Sequence, residues 1–110
     1  MSEVAILLVG GLERLDGHYR AVAGHGARLA LDAVYVDSGA LERRAESADA
    51  IVLVTGHISH AAAGKVRSIA RRRNIPLVAA LTPSISAVRT AIDRAAAHLV
   101  LEEPDERKSA

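Results

Sequence analysis

The chain has no cysteine, phenylalanine or tryptophan in 110 residues, and its only aromatic side chains besides histidine are two tyrosines, Tyr19 and Tyr35. The absent thiols exclude disulfides, thiolate metal centres and a cysteine nucleophile. The absent large aromatics leave Ala, Val, Leu and Ile to fill a core through many small contacts, and they remove the stacking platforms on which single-stranded nucleic acid is held. An excess of one charge is missing as well. Lys plus Arg total 14 against 13 Asp plus Glu, so no global field favours non-specific nucleic-acid binding. No apolar run approaches the roughly 20 residues of a membrane span. The start, Met1-Ser2-Glu3, is acidic, and the run Val4–Val9 is short and leads into Gly10-Gly11, unlike a signal peptide. These features predict a cytoplasmic protein with no membrane partner, and the length predicts one domain.

What is present centres on Ala50-Ile51-Val52-Leu53-Val54-Thr55-Gly56-His57-Ile58-Ser59-His60. The run is too continuous for a half-exposed strand and reads as a central strand covered on both faces, leading into a helix start. Thr55, Gly56 and Ser59 supply turn and cap character. His57 and His60 project near the exposed end of that strand.

The remaining elements follow in order. Val4–Val9 is a buried strand ended by Gly10-Gly11. A helix follows with Leu15, Tyr19 and Val22 on one face, stopped by Gly24-His25-Gly26. Residues 27–36 carry strand composition in their second half, Ala33-Val34-Tyr35-Val36, and Asp37-Ser38-Gly39 turns the chain. Leu41, Ala45 and Ala48 define a short second helix with Glu42, Arg43, Arg44 and Glu46 on its solvated side. The third strand is 50–55. The third helix covers about 59–73, with Ser59 as N-cap and Ala62, Ala63, Val66, Ile69 and Ala70 inward. Pro76 opens a fourth strand, 77–81, a position a proline tolerates. Thr82-Pro83 starts a last helix running to about Leu99, with Val88, Ile92, Ala95 and Leu99 on its inner face. Residues 102–110 are charged, contain Pro104 and lack an apolar docking face, so a disordered charged tail is expected after a single domain over 1–101.

Strand and helix alternate four times, which predicts an α/β Rossmann-like three-layer domain with a four-stranded, mainly parallel sheet in order 2-1-3-4. Ligands of such sheets bind outside the carboxyl ends of the strands where the order reverses. That placement gathers Gly10, Gly11, Thr55, His57, Ser59, His60, Thr82 and Ser84 around one crevice, with His18 and Asp37 at its margin.

Gly10-Gly11 after a strand resembles phosphate-binding loops, yet neither G-x-G-x-x-G nor G-x-x-x-x-G-K-[ST] is present, and a plain strand-to-helix turn explains the pair equally. His57 and His60, three apart, can ligate one divalent metal such as zinc, with the third ligand from His18, His25 or Asp37. The competing reading makes His60 a partly buried, hydrogen-bonded residue tying the turn to the first helix, with His57 merely exposed. Thr82, Ser84 and Ser86 can hold an oxyanion or simply cap. A triad of Ser59, His60 and Asp37 lacks a nucleophile elbow and is discounted. Lys65, Arg67, Arg71, Arg72 and Arg73 make the third helix basic outside, which solvation or an anionic partner surface explains; nucleic acid is not expected. His98 lies near a helix C-terminus, where an imidazolium is favoured.

Several landmarks together are similar to the short bacterial domains grouped as domain of unknown function 2325. They are Val9-Gly10-Gly11 after the first strand, His18-Tyr19-Arg20, Asp37-Ser38-Gly39, Ala48-Asp49-Ala50, Ser59-His60 and Pro76, and the similarity runs from Val4 to about Ile92. The resemblance implies no settled activity. It implies that members often carry a cysteine or tyrosine after an aspartate where this chain has Gly56-His57, and a cysteine near Ala70; here those thiols are absent. His18, Asp37, Ser59 and His60 are the matching polar positions.

The functional expectation is a small ligand-binding or regulatory module, a homodimer with a polar crevice for a small anionic ligand. Two alternatives stand beside it. One is a metal- or histidine-dependent enzyme, a hydrolase or phosphoryl-transfer catalyst, with His57 or His60 as base or nucleophile and Asp37 orienting it. The other is a protein-interaction domain whose crevice is vestigial.

Overall fold

The structure, a computed structural model, describes residues 4–23 and 29–102. Four strands, β1 (Val4–Val9), β2 (Leu29–Val34), β3 (Ala50–Val54) and β4 (Leu77–Ala80), form one sheet in the order β2-β1-β3-β4. Every pairing is parallel, with Ile6 opposite Ala50 and Ile51 opposite Leu77. A 3-10 turn (Glu13–Leu15) and α1 (Asp16–Ala23) follow β1, α2 (Leu41–Ser47) follows β2, α3 (His60–Arg73) follows β3, and α4 (Ile85–Glu102) follows β4. This is the doubly covered α/β architecture expected from the alternation.

Strand periodicity divides the core into two layers. Ile6, Leu8, Val52 and Val54 point to one face, where Tyr19 and Ala23 of α1 and Val88, Ala91, Ile92 and Ala95 of α4 cover them. Leu7, Val9, Ile51 and Leu53 point to the other, against Leu41 and Ala45 of α2 and Ala62, Val66, Ile69 and Ala70 of α3. All five residues of β3 are buried, the physical reason for its unbroken apolar run. At the end of α3, Asn74 adopts a left-handed conformation (φ 56°) and the Asn74 and Ile75 amides both bond to the Ala70 carbonyl, so the chain turns before Pro76 can disturb the helix.

Several boundaries and the inner face of one helix differ from expectation, and β3 ends at Val54. β2 covers Leu29–Val34 and leaves Tyr35 and Val36 beyond it, because its pairing with β1 is set by the length of β1 rather than by local β propensity. α1 buries Tyr19 and Ala23, with Val22 half-buried at the margin, and Leu15 packs on the same core from the preceding 3-10 turn. β4 stops at Ala80, and Leu81 is 79% exposed. α4 continues past Leu99 to Glu102, so residue 102 belongs to the helix rather than to a tail. The Gly24-His25-Gly26 stop and residues 103–110 lie outside the described residues.

Candidate functional site

The order reverses between β1 and β3, and the structure fills the crevice there with its own groups. The Gly10 amide donates to the Val34 carbonyl at 2.8 Å, so it does not face a ligand. Gly10 has φ +92°, and a Cβ placed on it would lie 3.0 Å from the His57 carbonyl oxygen and 3.1 Å from that of Val54. Glycine is therefore required because the β3–α3 turn closes over it. A Cβ on Gly11 would stand 3.2 Å from the Tyr19 hydroxyl.

Tyr19 is the plug. Its ring is fully buried. Its hydroxyl donates to the Pro83 carbonyl at 2.6 Å and accepts from the Leu12 amide at 3.2 Å, joining the loop after β1 to the loop after β4. The first backbone amide past the glycine pair, that of Leu12, is thus consumed by a side chain. The reading of Gly10-Gly11 as a strand-to-helix turn accounts for this geometry.

Hydroxyls around the rim also have internal partners. Ser59 caps α3, its Oγ accepting from the Ala62 amide at 3.1 Å. Ser84 caps α4, accepting from the Ala87 amide at 3.2 Å, and lies 3.1 Å from the Thr82 hydroxyl. Thr55 directs its hydroxyl at the Ala80 carbonyl at 3.5 Å and donates its amide to the same oxygen at 3.0 Å. The polarity legible in the sequence here builds turns.

His57 and His60 are both exposed, on either side of Ser59 at the start of α3. His60 is not the partly buried tie to the first helix that one reading expected: it is the exposed first residue of α3. Asp37, also exposed, forms an ion pair with Lys65 of α3 at 3.4 Å. Among the described residues no hydrogen bond or ion pair joins Asp37 to either histidine. His18 sits on the exposed side of α1, next to inward-facing Tyr19. Among the described residues no three His, Asp or Glu side chains gather to hold a metal, so His57 and His60 have no third ligand there from His18 or Asp37; His25 lies outside the described residues.

Two polar constellations carried no motif in the sequence. At the end of β2, the Tyr35 hydroxyl donates to Asp16 at 2.6 Å, and Arg20 donates to the other Asp16 oxygen at 2.7 Å and to the Leu31 carbonyl at 3.0 Å. Arg20, and after it Tyr35, holds the Asp16 carboxyl below the usual carboxylate range. Burial, reinforced by Asp16, pushes the Tyr35 phenol well above the tyrosine range. At the opposite end of the sheet Asp49 accepts from the Ala5 amide at 2.8 Å while its own amide donates to the Ala5 carbonyl at 2.8 Å, clamping β1 to β3. The available signals were the landmarks His18-Tyr19-Arg20 and Ala48-Asp49-Ala50, which hold Arg20 and Asp49, and the scarcity of tyrosine: Tyr19 and Tyr35 are the only two, and both hydroxyls anchor a loop.

A family model described as an uncharacterized protein conserved in bacteria, domain of unknown function 2325, matches residues 5–95. No curated protein and no solved structure matches the chain. The matched span runs from β1 into α4 and takes in Gly10-Gly11, Tyr19, Asp49 and Ser59-His60, so that the chain belongs to the bacterial family of domain of unknown function 2325.

Proposed function

We propose that the chain is a small ligand-binding or regulatory module that takes an anionic group at the start of α3. One observation carries the reading: His57 and His60 are exposed together at the N-terminus of a 14-residue helix whose first turn holds no acidic residue. Helix N-termini present unpaired amides and the positive end of the macrodipole, both favourable to an anion. Ser59 takes up the Ala62 and Ala63 amides, which leaves those of His60 and Ala61 for a ligand. Among the described residues no carboxylate is bonded to either histidine to orient it as a base, which favours binding over turnover.

A second reading rests on a separate observation. Val36 and Leu81, 67% and 79% exposed, follow the carboxyl ends of β2 and β4 and so flank the histidine turn on the same end of the sheet. A protein surface covering both side chains, including that of a second copy in a homodimer, would make this end an interaction face.

Native mass spectrometry of the untagged chain with added inorganic phosphate, combined with metal analysis and repeated on His57→Ala/His60→Ala, tests the first reading. A stoichiometric anion lost in the double variant, with unchanged helix content by circular dichroism, is the expected result. A ligand-free chain unaffected by phosphate or by the substitutions contradicts it and leaves the interaction face.

A further inference from the structure

The two edges of the sheet are treated differently. Successive residues of a strand direct their amide and carbonyl groups to alternate sides. In β2, Val34 accepts from Gly10 and so faces β1; Leu31 and Ala33 therefore face outward. Two of the outward groups are already occupied: Arg20 donates to the Leu31 carbonyl at 3.0 Å, and the Asp32 carboxylate accepts from the Ala33 amide at 3.0 Å. Asp32 also pairs with Arg44 at 3.7 Å, placing charge in mid-strand. This edge is blunted against further strands.

In β4, Pro76 and Ala80 accept from Ile51 and Thr55 and so face β3. Leu77 and Ala79 therefore turn their amides and carbonyls outward. Among the described residues no hydrogen bond from a neighbouring element reaches either of them, and no residue of β4 is charged. Two shallow grooves adjoin this open edge. One, about 570 Å3, runs along β4 between Leu77, Val78 and Ala79 and the Arg94, Ala97 and His98 side of α4; the other, about 510 Å3, lies at the start of β4 between Leu77, the end of α3 with Arg71, and His98. Arg94 rims the first and Arg71 the second, and among the described residues no acidic side chain lines either.

We propose that the β4 edge binds an extended segment of a partner protein, rich in Asp or Glu interspersed with small apolar residues, as a fifth strand. Main-chain bonds to Leu77 and Ala79 supply the pairing, and side chains on one face of the added strand enter the groove beside α4 while its acidic side chains reach Arg94 and, at the start of β4, Arg71. Charge favours this occupant over a second copy, which would bring Arg71, Arg94 and His98 of both chains together. At about 3.3 Å per residue, the four residues of β4 form a strip about 13 Å long, matched to a short peptide strand.

Fluorescence anisotropy on the full chain tests the proposal with two labelled short peptides, one of valine and glutamate and one with lysine for each glutamate. The glutamate peptide binds and the lysine peptide does not. Ala79→Pro, which removes an outward amide from an edge strand and leaves the β3 pairing intact, weakens binding at least about tenfold, as does Arg71→Glu/Arg94→Glu on exposed helix positions. Should Ala79→Pro fail to fold, the helix double variant decides alone. Equal binding of both peptides, no binding at millimolar peptide, or binding unchanged in the double variant overturns the proposal. So does a dimer by light scattering that Ala79→Pro dissociates, which would give the edge to a second copy. Binding that appears only when the chain is cut after Glu102 would assign the edge to the chain's own acidic segment and also overturn it.

Discussion

Tyr19→Phe deletes one oxygen atom and strands two backbone groups, the Pro83 carbonyl and the Leu12 amide. Each hydrogen bond contributes about 1 kcal/mol net, and a polar group left without a partner costs about 1–3 kcal/mol when buried. Both bonds are only partly buried, so water recovers some of the loss and the net destabilisation is about 2 kcal/mol. That is a sizeable share of the 5–15 kcal/mol of a typical domain. Thermal unfolding should fall by about 10 °C, since ~1 kcal/mol moves a domain of this size by roughly 4–8 °C. Urea denaturation followed by far-ultraviolet circular dichroism, with the slope m unchanged, provides the free energy. Amide exchange at Leu12 should accelerate in the same variant. A change under ~0.5 kcal/mol, within the range of an ordinary surface substitution, would refute the claim that this hydroxyl bolts the crevice shut. Tyr19→Ala adds a cavity and should cost about 3–5 kcal/mol.

Gly10→Ala forces a Cβ against the His57 and Val54 carbonyls at a positive φ; denaturation should show a loss of about 2–4 kcal/mol, by strain and overpacking together, whereas a loss below ~1 kcal/mol would show that the β3–α3 turn yields. Asp49→Ala removes the carboxylate that accepts from Ala5 and should cost about 1 kcal/mol, with faster exchange at the Ala5 amide. Because the Tyr35 phenol is raised by burial and by Asp16, its contribution to stability is complete below the ordinary tyrosine value of about 10 and is lost as the pH climbs toward the higher folded value. Denaturation between pH 8 and pH 11 in a Tyr19→Phe background should show this decline, and Asp16→Asn should shift the Tyr35 absorbance transition to lower pH; an unshifted transition would mean that Asp16 does not govern the phenol.

The sheet order was legible because the five buried residues of β3 leave no polar period and because each helix shows its inner face in small apolar residues. β2 was placed too late in the chain because it is an edge strand carrying Asp32, a charge that interrupts the apolar run yet serves to occupy the Ala33 amide. Capping by Ser59 and Ser84 was also readable, since it is decided within four residues. The bolt from Tyr19 to Pro83 was not, because it joins positions 64 apart and depends on the side-by-side placement of two loops. Periodicity marked Tyr19 as a core residue without revealing what its hydroxyl does. His57 and His60 were correctly placed at a helix start, but spacing alone does not report that Asp37 pairs with Lys65 of α3. The contrast between a blocked β2 edge and an open β4 edge likewise emerges only once the direction of each carbonyl is known.

The most direct test of the anion-binding account is a 15N-resolved titration of the intact chain with inorganic phosphate. The account predicts saturable shifts at the amides of His60 and Ala61 and their neighbours in the β3–α3 turn, absent in His57→Ala/His60→Ala, with the Gly10 and Leu12 amides unmoved because Val34 and Tyr19 already hold them. Shifts centred on Gly10 to Leu12, or no saturable shift at any amide near α3, would contradict it.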